Sequence, residues 1–274
     1  MEHKLEKEAE FAEICPVLRF EGGAGKEMSR AVAREYPLTI FFNGTQLVTM
    51  LCSPHDMKEL AVGFLSSEGF LSNKDEIKSV TLDSVRGVAR VQTNDEREVS
   101  PEVMSRRLIS SGCGRGAAFY KAEDVQSKPV TSAAAISAEE LTALVQLFQH
   151  GSQAYLETHG VHSAGLYRGS KLVIFAEDIG RHNAVDKIFG HCLLEGIDMQ
   201  DCILITSGRL SSEIAHKVVK KNIPILVSIS APTTLAVQVA EQMGVTLVAS
   251  VRGGKMDVYS NPGRITSSPV PGTG

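Results

Sequence analysis

The stretch CILITSGRLSSEIAHKVVKKNIPILVSISAPTTLAVQVAEQMGVTLVASV, residues 202–251, decides the fold. Three apolar runs, CILIT, ILVSI and TLVASV, alternate with two segments in which apolar residues recur at helical spacing. Strands that alternate with helices of about a dozen residues form right-handed crossovers, so this stretch predicts a mostly parallel sheet with helices on both faces. The larger part of the chain is therefore expected to be an α/β domain.

The same pattern extends to both sides of this stretch. SAGLY and KLVIFA predict a hairpin around Arg168-Gly169, followed by another amphipathic helix. Further upstream, Ser137 and Glu140 have the spacing of a capping box, which predicts the start of a helix. The α/β domain is expected to span residues 136–262, with residues 263–274 as a flexible tail.

The N-terminal part of the chain has a different pattern. LTIFF and TQLVTML flank Asn43-Gly44, a dipeptide favoured in two-residue hairpin turns, and a helix with Ser53 as its N-cap is expected to follow. Residues 36–121 are predicted to form a small α+β domain that carries a cysteine loop. Residues 1–35 are predicted to be a flexible arm, and the polar residues 121–135 are typical of a linker.

Composition excludes several classes of protein. The chain has 274 residues, of which 43% are hydrophobic and 22% charged, as in globular rather than disordered proteins. A net charge of -4 disfavours general binding to nucleic acid or to anionic membranes, so phosphate binding would need a local site. No apolar run reaches the roughly 18 residues of a membrane span, and the N-terminus lacks the apolar core of a secretory signal. A cytoplasmic protein is expected.

Cys113 is the cysteine with a candidate chemical role. The five cysteines are an odd number without CxxC spacing, which indicates neither a disulfide framework nor a four-thiolate zinc site. In SSGCGRG, the glycines let the backbone approach a partner closely, and Arg115 favours the thiolate. This loop is suited to carrying a thiol to another protein, and an incidental cysteine in a turn is the alternative. Three other cysteines lie in apolar segments and are expected to be buried: Cys52, Cys192 and Cys202.

Polar loops follow the predicted strands, where α/β sheets bind their ligands. The loop after CILIT combines hydroxyls, a glycine and an arginine before a helix, which resembles a phosphate cradle without the lysine of a Walker loop. The next two strand exits also contain hydroxyls or basic groups. Together they predict a ligand that bears phosphate or a nucleotide, with neutral capped turns as the alternative. The candidate residues here are Thr206, Ser207, Arg209, Ser230, Arg252 and Lys255.

Seven polar residues are concentrated in EDIGRHNAVDK, residues 177–187. Such a cluster can form a charge-assisted network that orients a ligand or a loop, or it can cap the following helix. His159 and His162 would share a face on a helix, but Gly160 disfavours a helix there and a third ligand is not evident. No metal site is predicted. The zinc deaminase signature, HxE with PCxxC, is absent.

Three of these segments resemble the formate dehydrogenase accessory sulfurtransferase family, FdhD. They are EDIGRHNAVDK (177–187), TSGRLSSE (206–213) and SAPTTLAVQVAEQMGVTL (230–247), and the likeness extends over most of residues 36–259. The resemblance implies a sulfurtransferase that takes persulfide sulfur from a cysteine desulfurase. The sulfur would pass to the molybdenum or tungsten bis-molybdopterin guanine dinucleotide cofactor that formate dehydrogenase needs. A homodimer, and a larger domain with the three-layer cytidine deaminase fold, are also implied.

The resemblance assigns roles to individual residues. Cys113 would be the catalytic residue that holds the persulfide, and GDP is an expected ligand because the family binds a guanine dinucleotide. The family's cysteine loop usually reads CGxCG, whereas Gly116 stands here in place of the second cysteine. The cofactor stretch, usually similar to FCRPGR, reads SVRGGK and lacks the aromatic residue. This stretch comprises Ser250, Val251, Arg252, Gly253, Gly254 and Lys255.

Two other functions are compatible with the sequence. The first is a chaperone that binds the molybdenum cofactor without turnover, in which loss of the second cysteine has ended sulfur transfer. The second is a nucleotide hydrolase that uses His182 and Asp178 as acid and base.

Overall fold

The structure of the protein is a computed structural model. The structure describes residues 11–95, 97, 99 and 128–267, together with the backbone of two short antiparallel strands at 107–109 and 117–119. The predicted catalytic residue Cys113, with Arg115 and Gly116, lies outside these residues.

The first described element is an antiparallel hairpin of β1 (Ala12–Glu21) and β2 (Ala24–Ala33). It lies within residues 1–35, for which a flexible arm is expected, and its two strands pair along their whole length and so satisfy each other's backbone hydrogen bonds. Residues 1–10 lie outside the described residues. Most of the hairpin's side chains are exposed on both faces. The sequence therefore lacks the alternation of apolar and polar residues by which a half-buried strand is recognised.

A four-stranded sheet and one helix form the small α+β unit. Its elements are β3 (Tyr36–Phe42), β4 (Thr45–Cys52), α1 (Met57–Ser67), β5 (Ile77–Asp83) and β6 (Val88–Thr93), and the sheet order is β4-β3-β6-β5. The predicted hairpin turn is confirmed, with positive φ at both Asn43 and Gly44. Helix α1 starts later than predicted, because Asp56 is its N-cap and the Ser53 hydroxyl instead accepts a hydrogen bond from the Ile179 amide at 3.1 Å.

The larger unit is built around a six-stranded mixed sheet. Two short strands precede it in the chain, β7 (Arg107–Ile109) and β8 (Ala117–Phe119). The elements of the larger unit, in chain order, are β9 (Ile136–Ser137), α2 (Ala138–His150), α3 (Gln153–Thr158), β10 (His162–Arg168), β11 (Lys171–Asp178), α4 (Arg181–Glu195), β12 (Cys202–Thr206), α5 (Ser212–Lys220), β13 (Ile225–Ser228), α6 (Thr234–Gln242), β14 (Thr246–Arg252), β15 (Lys255–Ser260) and β16 (Ile265–Thr266). The sheet order is β11-β10-β12-β13-β14-β15, in which β12, β13 and β14 are parallel and the outer pairings antiparallel.

Apolar side chains cover both faces of this sheet. Residues of α4, α5 and α6 pack in one core cluster, which includes Ile188 and Ile214. Helix α2 contributes Leu144 and Phe148 to a second cluster, in which they join Ile205 of the central strand β12. The predicted α/β architecture with helices on both faces is confirmed, as is the capping box that opens α2.

Hydrogen bonds tie the chain after residue 262 to the large unit. Strand β16 pairs in parallel with β9, and Arg264 donates hydrogen bonds to the carbonyl oxygens of Gly244 at 2.8 Å and Ser132 at 3.1 Å. Of the segment 263–274, for which a flexible tail is expected, residues 268–274 lie outside the described residues. A guanidinium bonded to two separate segments holds the chain against the domain as far as β16.

The small and large units join where helices α1 and α4 cross. A Cβ atom added to Gly63 would lie 1.7 Å from the Asp186 carbonyl oxygen, and one added to Gly190 would lie 1.8 Å from that of Glu59. Two glycines thus allow the helix backbones to touch, where any side chain would hold them apart.

Candidate functional site

A cavity of about 540 Å³ lies at the edge of the large sheet where the parallel strands end. This is the edge at which α/β sheets bind their ligands, and the volume is typical of a small-molecule site. The loops that leave β11, β12 and β13 contribute to its lining, as do the last turn of α2 and helix α3. The lining residues are Phe148, Gln149, Ser152, Tyr155, His159, Gly160, Val161, His162, Ser163, Ile179, Ser207, Ile229, Ser230 and Arg252.

Three of the residues predicted from the sequence meet in this cavity, namely Ser207, Ser230 and Arg252. They come from three successive strand exits, which the parallel arrangement brings to one edge. Two other candidates do not line it. Thr206 is buried and its hydroxyl donates to the Ser163 carbonyl oxygen at 3.2 Å, while Arg209 is exposed.

The segment from Ser250 to Lys255 is divided between two cavities. Arg252 lines the first, whereas Gly254 and Lys255 line a second cavity of about 760 Å³ that lies along the N-terminal half of α2. Val251 is 2% exposed and belongs to the core, so it is not available to a ligand. Ser250 has a positive φ of 58°, and its amide donates to the Ser230 carbonyl oxygen at 3.1 Å.

Arg252 and Lys255 are cross-strand partners at the tip of the β14–β15 hairpin. The turn between them is Gly253-Gly254, in which both glycines have positive φ. Like charges directly opposite each other destabilise a sheet, and neither side chain forms an ion pair within the described part of the chain. This hairpin tip is therefore a cationic feature that an anionic ligand would stabilise.

His162 and Ser207 form a polar pair in the cavity wall. The Ser207 hydroxyl accepts a hydrogen bond from the Ser163 amide at 3.0 Å and lies 3.2 Å from Nδ1 of His162. Burial lowers the pKa of His162, and the positive charge of Arg181 lowers it further. The imidazole is therefore neutral near pH 7 and offers one donor and one acceptor.

Arg181 begins helix α4 and packs against the loop that leaves β12. A Cβ atom on Gly208 would lie 2.7 Å from the Arg181 Cβ, so the glycine is needed for this close approach. The Nε and Nη2 atoms of Arg181 are buried and have no hydrogen-bond partner among the residues that the structure describes. Buried polar groups are normally bonded, so these two donors need an explanation.

His182 follows Arg181 and lies 3.3 Å from Glu213 and 3.4 Å from the Ser211 hydroxyl. Burial, with the nearby charges of Lys217 and Arg181, lowers the pKa of His182 to about 3. The ring is therefore a weak base at neutral pH. This disfavours the nucleotide hydrolase in which His182 would act as acid or base.

Asp178 and Lys187 form a buried ion pair with an O–N distance of 2.8 Å. Asp178 also accepts hydrogen bonds from the Ser53 and Gly180 amides, and Lys187 donates to the Glu177 carbonyl oxygen. The network predicted for EDIGRHNAVDK is therefore present at these residues. It joins the loop before α4 to the small unit, and the fully buried Asp178 carboxylate is not available to a ligand.

The described cysteines that lie in apolar segments are buried, as predicted. Burial raises the pKa of the Cys52 and Cys192 thiols to about 12 and that of Cys202 in the same direction. These thiols are poor candidates for sulfur chemistry, since the thiolate is the reactive form. Among the described residues, no cluster of three potential metal ligands occurs and no helix is long and apolar enough to cross a bilayer.

Comparison with known proteins identifies the family to which this chain belongs. The model of the FdhD/NarQ family matches residues 33–266. The chain belongs to this family. Proteins named sulfur carrier protein FdhD are similar to it: one from Bacillus subtilis (strain 168) is 40% identical over 253 residues, which cover 92% of this chain and 97% of that protein. Another from Bacillus pumilus (strain SAFR-032) is 44% identical over 236 residues, 86% of this chain and 90% of that protein.

A solved structure has a similar fold. The crystal structure of a protein from Desulfotalea psychrophila, named as a formate dehydrogenase accessory protein, has a TM-score of 0.78 and 27% sequence identity. The match covers 93% of this chain and all of that one. The family and the mixed α/β fold predicted from the sequence are thus confirmed, while the likeness to cytidine deaminase stays a prediction.

Sequence patterns do not reveal the roles of one residue that lines the cavity, His162, and of one that lies beside it, Arg181. The spacing of His162 suggests only a metal ligand, and Arg181 stands out only as one member of a polar cluster. The position of Arg181 directly after a predicted strand was a usable signal. Its burial against Gly208 was not visible, because those residues are distant in sequence and meet only in the folded domain.

Proposed function

We propose that this protein is a sulfur carrier with sulfurtransferase activity. It takes persulfide sulfur from a cysteine desulfurase and transfers it to the molybdenum or tungsten bis-molybdopterin guanine dinucleotide cofactor, which is its substrate, for a formate dehydrogenase. The observation that carries the proposal is the similarity to proteins named sulfur carrier FdhD over 92% of the chain. A cytoplasmic homodimer belongs to the same proposal.

Cys113 carries the sulfur in this proposal. Its thiolate attacks the outer sulfur of the donor's cysteine persulfide, the donor S–S bond breaks, and the donor cysteine leaves as a thiolate. Cys113 then bears the persulfide. In the second half-reaction the outer sulfur leaves and Cys113 returns to a thiolate, so the acceptor supplies the two electrons that reduce this sulfur to sulfide.

The cavity at the sheet edge suits the nucleotide part of the substrate. Its wall carries hydroxyls of Ser207 and Ser230 and the cation of Arg252, all of which bind phosphate in proteins. The buried donors of Arg181 lie close by and lack an acceptor among the described residues. This donor set fits an anionic nucleotide and supports GDP as a simple analogue.

Mass spectrometry of the persulfide tests the proposal. After incubation with a cysteine desulfurase and cysteine, a peptide containing Cys113 is expected to gain the mass of one sulfur atom. Cys113→Ala is expected to abolish this adduct and the activation of formate dehydrogenase while leaving folding intact, because a thiol in the loop that the sequence SSGCGRG predicts would add little packing. Cys15→Ala is the matched control and should keep both.

The second candidate is a cofactor-binding chaperone without turnover. The observation that favours it is the loop sequence CGRGA, which has one cysteine where the family usually has two. If the protein is such a chaperone, the Cys113→Ala variant still activates formate dehydrogenase and the wild type forms no sulfur adduct. That pair of results would overturn the sulfur carrier.

A further inference from the structure

The orphaned nitrogens of Arg181 occupy one edge of its guanidinium group. Nε and Nη2 point in the same direction and form the side-on fork that binds two oxygen atoms of one oxyanion. Both atoms are buried and have no acceptor within the described residues. A buried fork without an acceptor destabilises the folded chain, so its retention points to a ligand that completes it.

Two carboxylates of the surrounding segments are already engaged. Asp178 is paired with Lys187, and Glu213 lies against His182. The charge of Arg181 acts on the imidazoles of His162 and His182, which places the guanidinium near the cavity wall that His162 and Ser207 form. The Nε–Nη2 edge of the guanidinium therefore has no carboxylate acceptor among the described residues.

The start of helix α4 supplies further donors. Gly180 is the N-cap, and no side chain caps the first turn of this 15-residue helix. The first amides of a helix bind anions, and here they lie on the residues that follow the cavity-lining Ile179. A phosphate group has three free oxygens, so it can accept hydrogen bonds from these amides as well as from the two arginine nitrogens. A carboxylate has only two oxygens, and the arginine alone binds both.

We propose that Arg181 binds a phosphate group of the nucleotide-bearing substrate through its Nε–Nη2 edge, with the Ser207 hydroxyl and the start of α4 beside it. The inference rests on the proposed function only for the identity of that substrate. Arg252, which lines the cavity, is then a second phosphate contact. A diphosphate offers one phosphate group to each of the two cations.

Isothermal titration with inorganic pyrophosphate and with GDP tests the assignment. Arg181→Met is expected to weaken both ligands by about 10-fold to 100-fold, because it removes a bidentate charge-assisted contact. Arg86→Met is the matched control: Arg86 is 83% exposed in the turn between β5 and β6, and its loss is expected to leave both affinities unchanged. Acetate is the carboxylate control and should bind neither protein measurably.

Thermal unfolding distinguishes a loss of ligand binding from a folding defect in the variant. Without ligand, Arg181→Met should be at least as stable as the wild type, since it removes two buried unpaired donors. With pyrophosphate, the melting temperature should rise in the wild type and not in the variant. In NMR titrations, bound pyrophosphate should raise the pKa of His162 in the wild type alone.

The outcomes separate this inference from the sulfur carrier. Pyrophosphate binding requires neither Cys113 nor a sulfur donor, so loss of the persulfide adduct would leave the Arg181 assignment standing. Equal pyrophosphate affinity in wild type and Arg181→Met, or no binding to either, would overturn the assignment even if Cys113 carries sulfur. Acetate binding as tight as pyrophosphate would overturn the choice of phosphate.

Discussion

Lys187 and Asp178 are the residues whose charges the fold buries most completely, at 1% and 0% side-chain exposure. Replacing Lys187 by Met would leave a carboxylate in the core without its cation. We expect the free energy of unfolding to fall by about 3–5 kcal/mol, as is usual when one partner of a buried pair is removed. Urea denaturation measures this loss.

The double variant Lys187→Met with Asp178→Asn is the control for this prediction. It removes the uncompensated charge and is expected to recover part of the loss, because the single amide oxygen can still accept from one of the two backbone N–H groups, that of Ser53 or that of Gly180. An unfolding midpoint of Lys187→Met equal to that of the wild type would contradict the proposed role of the pair.

His182 gives the protein a predictable dependence on pH. Its pKa is lowered from 6.5 to about 3, so the folded state binds the proton less tightly than the unfolded state. Stability is therefore complete above about pH 6.5 and is lost as the pH falls toward 3, by up to about 1.4 kcal/mol per pH unit. His162, whose pKa is also lowered, adds to the loss in the same direction.

Urea unfolding at several values between about pH 7 and pH 4 checks this dependence. His182→Gln is the test variant, since its amide is polar and cannot take up the proton. The fall in stability with pH should be shallower in this variant than in the wild type. Equal slopes in both proteins would show that His182 does not carry the effect.

At the scale of elements, the crossing of α1 and α4 depends on two glycines. Gly63→Ala places a methyl group 1.7 Å from a backbone oxygen of the opposite helix, which only separation of the helices can relieve. We expect a loss of roughly 3 kcal/mol or more in the free energy of unfolding, with Gly190→Ala similar. Gly263→Ala is the matched control because its Cβ meets no atom within 4 Å, and stability like that of the control would contradict the prediction for Gly63.

The elements differ in how far the sequence predicts them. The Asn43-Gly44 hairpin, the capping box of α2 and the strands β12 to β14 were predictable because each signal lies within a few neighbouring residues. The β1–β2 hairpin was not, since its pairing buries no continuous apolar face. The predicted start of α1 was wrong because the Ser53 hydroxyl accepts a hydrogen bond from the distant Ile179 amide and does not cap the helix that follows it.

At the scale of the whole molecule, the parallel sheet assembles the candidate site. The rule that parallel strands present their carboxyl ends at one edge was enough to predict that Ser207, Ser230 and Arg252 lie together. The rule says nothing of a side chain's burial. It therefore does not predict that Arg209 is exposed whereas the side-chain donors of Arg181 are buried. Nor does it predict that Lys255 lines a second cavity.

The sequence by itself determined the family, the α/β architecture and the strand exits at which a ligand is expected. These properties follow from local periodicity, turn residues and contiguous motifs, which are read along the chain. Only the tertiary structure decided which charges are buried, which donors are unpaired and how closely α1 approaches α4. Those properties depend on desolvation and on contacts between residues far apart in sequence, within the large unit as well as between the two units.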